Sequence, residues 1–227
     1  MSLAGQVWDA YTNPINDGWG QTVQHIKISL TALGLAALTG VVLGVVAAKV
    51  GKAAAWLVVM VGNLGRMVPT LAVIALIVVF FPLGFWPAVI GLFALGVPPI
   101  LVNTYTGIRE VDPGAVEASR GMGLSRTQVL TRVELPLALP LTVAGVRTAA
   151  VEIVATATLA GLVGAGGLGV LVLAGLANDQ TDVILAGAIP VAILALTAEI
   201  VFAGAERLAT PRGLRLVRSP VTQGGPA

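Results

Sequence analysis

Uncharged runs too long for a soluble domain constrain this chain more than any other feature of its sequence. Residues 28–48 and residues 67–108 carry no charged side chain. An α-helix rises about 1.5 Å per residue, so about 20 apolar residues cross the roughly 30 Å hydrocarbon core of a bilayer. The mean hydropathy is +0.94, and 11% of the residues are charged, whereas soluble domains carry about 25%. The sequence therefore predicts an all-α membrane protein.

Turn residues and charges divide the apolar sequence into about five membrane spans. Residues 67–81 alone would reach only about 22 Å, so the second span must begin upstream and include Arg66. The apolar run that follows the glycines of 164–169 is too short to cross, which favours a re-entrant or interfacial helix. The predicted spans lie at about 24–49, 59–81, 86–108, 137–163 and 183–206.

The first predicted span carries small residues at a strict spacing of four. Because such residues share one face of a helix, they allow a second helix to approach closely. We therefore expect this face to pack against another span rather than to line a pore. The residues are Ala36, Gly40, Gly44 and Ala48.

The basic residues predict how the chain crosses the membrane. If the loop between the third and fourth spans is cytoplasmic, ten of the 13 Lys and Arg residues lie on that side. The opposite side then receives Asp9, Asp17, Asp179 and Asp182. The positive-inside rule thus favours an N-terminus outside and a cytoplasmic C-terminus. We expect residues 1–22 to be an extracytoplasmic lead, 23–208 the transmembrane domain, and 209–227 a disordered cytoplasmic tail.

Several chemistries are not indicated by this composition. The chain has no cysteine and a single histidine, His25, so it offers no disulfide, thiolate site or histidine cluster for a metal. Residues 164–169 match the letters of a dinucleotide-binding fingerprint, but they follow a membrane helix instead of a strand. We find no phosphate-binding loop and no catalytic arrangement. We therefore expect no enzyme activity, no cofactor and no nucleic-acid partner for this chain itself.

Residues 112–136 form a polar segment within this apolar sequence. Asp112 followed by Pro113 is typical of a helix start, and Gly121 and Gly123 are typical of a helix end. Ser125 through Gln128 fits a capping box, which predicts a second helix that Pro136 limits. The polar segment is therefore predicted to contain two short helices joined at glycine.

Arg147, Glu152 and Glu199 are ionisable side chains that fall inside predicted spans. Charges near the bilayer centre are costly, so they normally face a protein interior or water and pair with one another. Arg147 and Glu152 lie about 140° apart around a helix, whereas Arg147 and Glu199 lie at similar depth. We predict an Arg147–Glu199 ion pair, which is favoured over a direct contact with a transported solute.

The polar segment also carries a recognisable pattern. Glu117-Ala118-Ser119, Gly123 and then Val133-x-Leu135-Pro136 resemble the EAA signature of ABC-importer permeases, with Ser119 and Val133 as mild departures. The resemblance, which covers about residues 20–208, is to the type I, methionine-permease-like core. Asn63-x-x-Arg66-x-x-Pro69 is similar to a second element of these permeases. Three further stretches resemble osmoprotectant (glycine betaine, carnitine, choline) permeases: 103–109, 144–149 and 164–169.

The resemblance implies partners as well as a fold. In that family the polar segment forms cytoplasmic coupling helices, here about 112–135, which dock on an ATPase subunit that holds ATP and Mg. It also implies a second permease copy or paralogue, an extracytoplasmic solute-binding protein, and the bacterial plasma membrane. The docking residues would be Glu117, Ala118, Ser119, Arg120, Gly123, Arg126, Leu135 and Pro136. The intramembrane pathway candidates are Asn63, Arg66, Arg147, Glu152 and Glu199.

The predicted function is ATP-driven import of a small compatible solute of the betaine, choline or carnitine class. Two alternatives stay open at this point. An ABC permease of the same build could carry another small solute, such as an amino acid or ergothioneine. A secondary transporter or channel is the other alternative, but it would need its own coupling-ion site and no capped pair of helices with this spacing.

Overall fold

The computed structural model describes residues 2–67 and 69–209, and within the third helix it does not describe the side chains at 52–54, 59, 63 and 66. Ten α-helices and no strand occur in these described ranges. A π-helical turn, Leu130–Glu134, precedes α8, and a 3₁₀ segment, Ala157–Val163, follows it. The helices are α1 Leu3–Thr12, α2 Gly18–Val50, α3 Lys52–Met67, α4 Thr70–Phe80, α5 Phe85–Arg109, α6 Pro113–Gly121, α7 Arg126–Val129, α8 Leu135–Thr156, α9 Gly169–Ala177 and α10 Thr181–Ala209.

Four helical stretches are long and apolar enough to cross a membrane: Gly18–Val50, Phe85–Arg109, Arg126–Val163 and Thr181–Ala209. A fifth, shorter apolar helix is α4. The predicted all-α membrane class is thereby confirmed. The first span begins earlier than expected, at Gly18, because Asp17 caps the helix by accepting a hydrogen bond from Gly20 N at 3.2 Å.

The second predicted span, residues 59–81, is not one continuous helix. Helix α3 ends at Met67 and α4 begins at Thr70, with Pro69 at its N-cap. A proline has no N–H to donate and disfavours helical geometry in the residue before it, so it separates the two helices. The 11 residues of α4 cover only about 16 Å. The prediction of a single second span was wrong because it gave too little weight to this proline.

The second helix of the polar segment is also not limited by Pro136. Helix α7 continues through the π-helical turn directly into α8, and Pro136 lies in the first turn of α8. Leu135 N donates to Leu130 O, five residues back, so the chain passes the proline in a wider turn. A π turn accommodates the proline ring, which would clash with a carbonyl in a regular helix. The fourth span thus starts within the polar segment.

Small residues bring α2 and α5 together at the centre of the molecule. Ala36, Gly40, Gly44 and Ala48 are all buried on one face of α2, as the spacing predicted. A Cβ added at Gly40 would lie 2.8 Å from Ile100 Cβ, and one at Gly44 would lie 2.7 Å from Thr104 Cβ. Real Cβ atoms do not approach so closely, so both positions require glycine.

We expect Gly44→Ala to lower the thermal stability of the detergent-solubilised protein, because the added methyl group must displace α5. Overpacking of this kind costs about 1–3 kcal/mol. The matched control is Gly34→Ala in the same helix, where an added Cβ meets nothing within 4 Å. Unfolding followed by circular dichroism should show a lower midpoint for Gly44→Ala alone. Equal midpoints for the two variants would contradict this packing argument.

Polar side chains of α2 hold the glycine-rich connection between α8 and α9. Gln24 Nε2 donates to Ala165 O at 2.9 Å, and Gln21 Oε1 accepts from Gly167 N at 2.8 Å. His25, which is fully buried, donates through Nε2 to Val154 O at 2.9 Å. Gly166 and Gly167 have φ values of +80° and +89°, which favour glycine. The connection is therefore an ordered turn, and the short helix predicted after it is present as α9.

Candidate functional site

The polar segment begins with α6, whose start is fixed by local chemistry. Asp112 Oδ2 accepts a hydrogen bond from Ala115 N at 3.1 Å, and Pro113 occupies the first turn. The Ser119 hydroxyl donates to Ala115 O at 2.7 Å and is buried. Ser119 thus faces inward, whereas Glu117, Ala118 and Arg120 are exposed. Three of the four predicted docking residues on α6 are therefore available to a partner.

Glycine ends α6 and turns the chain toward α7. Gly123 has a φ of +84°, and its N–H donates to Arg120 O at 2.9 Å. An added Cβ at Gly123 would meet nothing within 4 Å, so backbone conformation alone requires glycine there. Ser125 then accepts from Gln128 N at 3.3 Å, while Gln128 Oε1 accepts from Ser125 N at 2.8 Å. The predicted capping box is confirmed.

Helix α7 is anchored by one apolar side chain and is otherwise open. Val129 is 2% exposed, whereas Gly123 and Arg126 are exposed. Leu135 is partly buried and Pro136 is exposed at the start of α8. The polar segment thus presents exposed residues on α6, in the turn after it and on α7. We call this the α6–α7 surface: Glu117, Ala118, Arg120, Gly123 and Arg126.

An ion pair that the sequence analysis missed ties the polar segment to the first span. Glu134, in the π-helical turn, binds Lys49 at the end of α2, and its side chain is only 8% exposed. A cavity of about 210 Å³ lies beside this pair, and Arg109, Glu117 and Arg120 also line it. The pair fixes the C-terminal end of α2 to the start of the fourth span.

Inside the spans, Arg147 on α8 binds two carboxylates of α10. Its Nε donates to Glu199 Oε2 at 2.9 Å and its Nη1 to Glu206 Oε2 at 2.9 Å. Its Nη2 also donates to Glu199 Oε1, so the contact with Glu199 is bidentate. The predicted Arg147–Glu199 pair is therefore present. Glu206 was not expected, although it lies two turns from Glu199 on the same face of α10.

Of the remaining pathway candidates, Glu152 has a described side chain. Glu152 is exposed on α8 and lies about 140° around the helix from Arg147. Asn63 and Arg66 belong to α3, but their side chains lie outside the described residues. Among the described residues, no group of three or more His, Cys, Asp or Glu side chains could hold a metal ion.

Comparison with known proteins assigns this arrangement to a family. The family described as binding-protein-dependent transport system inner membrane component matches residues 40–212. The chain belongs to this family. The permease is 41% identical over 198 residues to the choline transport system permease protein OpuBB of Bacillus subtilis, covering 87% of this chain and 91% of that one. It is equally similar to the carnitine transport permease protein OpuCB of Listeria monocytogenes, with 87% and 90% covered.

Solved structures show that the permease shares its fold with ABC importers. It matches the MetNI methionine ABC transporter, in a set of inward-facing conformations, with a TM-score of 0.73 and 22% identity, covering 83% of this chain and 94% of that one. An amino acid ABC transporter matches with a TM-score of 0.69 and 17% identity, covering 83% and 92%. These likenesses confirm the all-α permease fold.

The family is one of transport-system membrane components, and the relatives are named as transport permease proteins rather than enzymes. The contacts missed from sequence are those of Lys49 with Glu134 and of Arg147 with Glu206. The signal for the first was a lone carboxylate among the apolar residues 133–136. The signal for the second was the seven-residue spacing of the two glutamates on one helix.

We expect Lys49→Met to destabilise the permease, because it leaves the Glu134 carboxylate buried without its cation. Loss of a partner for a buried polar group costs about 1–3 kcal/mol in the free energy of unfolding. The Lys49 side chain is 41% exposed, so water screens the ion pair and we expect no larger effect than this. Thermal unfolding in detergent would measure this. Lys27→Met, an exposed lysine near the other end of α2, is the matched control. Adding Glu134→Gln should recover part of the loss, and failure to do so would contradict the ion pair's role.

Proposed function

We propose that this permease is the transmembrane subunit of an ATP-driven importer for small quaternary ammonium solutes of the choline, carnitine and glycine betaine class. The observation that carries the proposal is the 41% identity, over most of both chains, to permeases named for choline and carnitine transport. An amino acid or ergothioneine would be the cargo under the remaining ABC alternative. The fold is shared with methionine and amino acid transporters, so it does not choose the cargo.

The proposed mechanism is alternating access driven from outside the chain. Two ATPase subunits bind ATP and Mg, close on each other, and move the α6–α7 surface as a rigid body. Coupling helices at about 112–135 are supported by the capped geometry of α6 and α7 and by the exposure of Glu117, Arg120 and Arg126. Ser119 and Leu135, which are more buried, would hold the segment in shape instead of touching the partner.

The proposed assembly contains a second permease copy or paralogue and an extracytoplasmic solute-binding protein. The proposed domains are an extracytoplasmic lead at residues 1–22, which includes the first residues of α2, and a permease domain at 23–208; residues 210–227 lie outside the described residues. An N-terminus outside and a cytoplasmic C-terminus follow from the basic residues near α6 and α7. The Lys49–Glu134 pair supports this orientation, because it places the end of α2 on the same side as the polar segment.

Reconstitution tests this function directly. The permease, its ATPase and its binding protein are placed together in vesicles, and uptake of radiolabelled choline, carnitine and glycine betaine is measured with and without ATP. We expect uptake that requires ATP and the binding protein. Uptake without ATP that follows an ion gradient would instead favour a secondary transporter. Uptake of an amino acid or ergothioneine, with none of the three quaternary ammonium compounds, would contradict the proposed cargo.

A further inference from the structure

An apolar groove lies between α1, the start of α2 and the first half of α10. Its volume is about 620 Å³, which is within the usual range for cavities that bind a small organic molecule. None of the described residues that line it is charged. Large apolar side chains stand exposed along its walls instead. We call it the α1–α10 groove, after its residues Leu3, Trp8, Trp19, Ile189 and Ile193.

The sequence of α1 provides one wall of this groove. Leu3, Val7 and Tyr11 recur at a spacing of four, so they share the face of the helix that lines the groove. Gln6 and Asp9 are exposed on the other side. A helix with one apolar and one polar face is typical of a segment that lies in the surface of a membrane, with its apolar face toward the acyl chains. Helix α1 packs against α10 in this way, beside an apolar helix long enough to cross the bilayer.

The hydroxyl groups in the wall of the groove are already paired. Tyr11 OH donates to Thr22 Oγ1 at 2.8 Å, and Thr22 Oγ1 donates to Gly18 O at 2.8 Å. Neither hydroxyl therefore has a proton left for an occupant. A buried water molecule needs about three polar partners, so water is held poorly here. The groove is better suited to hydrocarbon.

The α10 wall of the groove is the first part of a longer apolar stripe. Its exposed residues follow one another at spacings of four, three and four, so they share one face of α10. Lipid tails are as apolar as these side chains, so such a stripe is at no disadvantage against the bilayer. The stripe gives an acyl chain a continuous path from the bilayer into the groove. It consists of Ile189, Ile193, Leu196 and Ile200.

A quaternary ammonium solute suits this groove poorly. The ring of Tyr11 contacts those of Trp8 and Trp19, with ring centroids 6.3 Å and 5.2 Å apart. These are ordinary distances for aromatic pairs, so the rings contact each other and do not enclose a cation. The described lining residues also include no carboxylate that would attract one. Trp8 and Trp19 are instead largely exposed, as is typical of tryptophan at a membrane–water interface.

We propose that the α1–α10 groove binds one acyl chain of a membrane phospholipid. The chain comes from the bilayer leaflet next to α1 and fills the space between α1 and α10, while the headgroup stays near the exposed tryptophans. Helix α1 is then held against the span by lipid as well as by the direct packing of Val7 and Tyr11. This inference concerns the membrane and not the transported solute, so it does not depend on the proposed cargo.

Photolabelling of the unmodified complex tests the proposal. The importer is reconstituted in vesicles of phosphatidylethanolamine and phosphatidylglycerol with a trace of phospholipid that carries a diazirine in its acyl chain. Adducts are then located by peptide mass spectrometry. We expect label on Leu194, which lines the groove and is only partly exposed. Leu196, which is 63% exposed outside the groove, is the reference for ordinary contact with lipid. Label on Leu196 with none on Leu194 would overturn the proposal.

Filling the groove with a larger side chain gives a second measurement. We expect Ile189→Trp to lower the labelling of Leu194 several-fold relative to Leu196, because the indole takes the place of the acyl chain. The matched control is Ile200→Trp, which makes the same change on the same stripe outside the groove. It should leave the labelling of Leu194 unchanged. Equal labelling of Leu194 in the two variants would contradict a chain bound in the groove.

A cross-link distinguishes lipid from a second permease subunit in the groove. Because the chain has no cysteine, Ile193→Cys introduces a single thiol, to which a benzophenone maleimide is attached before the complex is reassembled in vesicles. We expect irradiation to link the benzophenone to phospholipid. A covalent product with a second permease subunit would show that protein covers the groove, and it would overturn the proposal. Neither result depends on which solute is transported, so the proposed function is tested separately by uptake.

Discussion

Gly123→Pro is expected to abolish solute-stimulated ATP hydrolysis and uptake in the reconstituted complex. Gly123 has a φ of +84°, which proline cannot adopt because its ring holds φ near −65°. Proline also removes the N–H that donates to Arg120 O at 2.9 Å at the end of α6. The turn between α6 and α7 would then be rebuilt, and the α6–α7 surface would lose the shape with which we propose it docks on the ATPase.

Milder changes separate backbone strain from general disturbance. Gly123→Ala must hold a left-handed conformation that costs about 1–2 kcal/mol, so partial loss of coupling is expected. Gly121→Ala is the matched control, since an added Cβ there meets nothing within 4 Å and its φ is not positive. ATP hydrolysis is measured with and without loaded binding protein. Normal stimulation in Gly123→Pro would contradict the coupling role of the polar segment.

Arg147→Ala is expected to reduce the recovery of assembled complex several-fold, because two carboxylates of α10 lose the guanidinium that they share. Size-exclusion chromatography of the purified complex would measure assembly. The rescue must take account of Glu206, since reversing only Arg147 and Glu199 would leave Glu206 facing a new glutamate. The triple variant Arg147→Glu, Glu199→Arg, Glu206→Gln should therefore recover assembly better than the double reversal.

The outcome of the reversals also distinguishes a structural pair from a solute contact. If assembly and uptake both return in the triple variant, the pair holds α8 and α10 together, and it does not matter which of the two helices carries the positive charge. If assembly returns while uptake stays low, the orientation of the charges matters to the solute. Failure of the triple variant to assemble would contradict pairing as the reason for the loss in Arg147→Ala.

Local signals in the sequence predicted local structure well. The capping box of Ser125 and Gln128 depends on residues three apart, and it is present as expected. The small-residue face of α2 follows from helical spacing alone, and its four residues are buried. The Arg147–Glu199 pair could be predicted across 52 positions of sequence because membrane depth restricts which charges can meet.

Features that depend on tertiary packing were not predictable in this way. Glu134 contacts Lys49, which lies 85 positions away at the end of α2, and nothing in the sequence near Glu134 indicates this partner. Pro69 and Pro136 look alike in sequence, yet the first separates two helices and the second lies within a continuous one. The difference is the π-helical turn before Pro136, whose wider hydrogen bonding is not encoded by a residue pattern.

The helical stretch from Arg126 to Val163 continues without a loop, through a π-helical turn and a 3₁₀ segment. At about 1.5 Å per residue, its 38 residues would extend roughly 57 Å, from the α6–α7 surface to the glycine-rich turn. Lys49 of α2 forms an ion pair with Glu134 near one end of this stretch. His25 of α2 donates a hydrogen bond to Val154 O nearer the other end. A tilt imposed at α7 would therefore be shared by α2, because α2 is bound to this stretch near both of its ends.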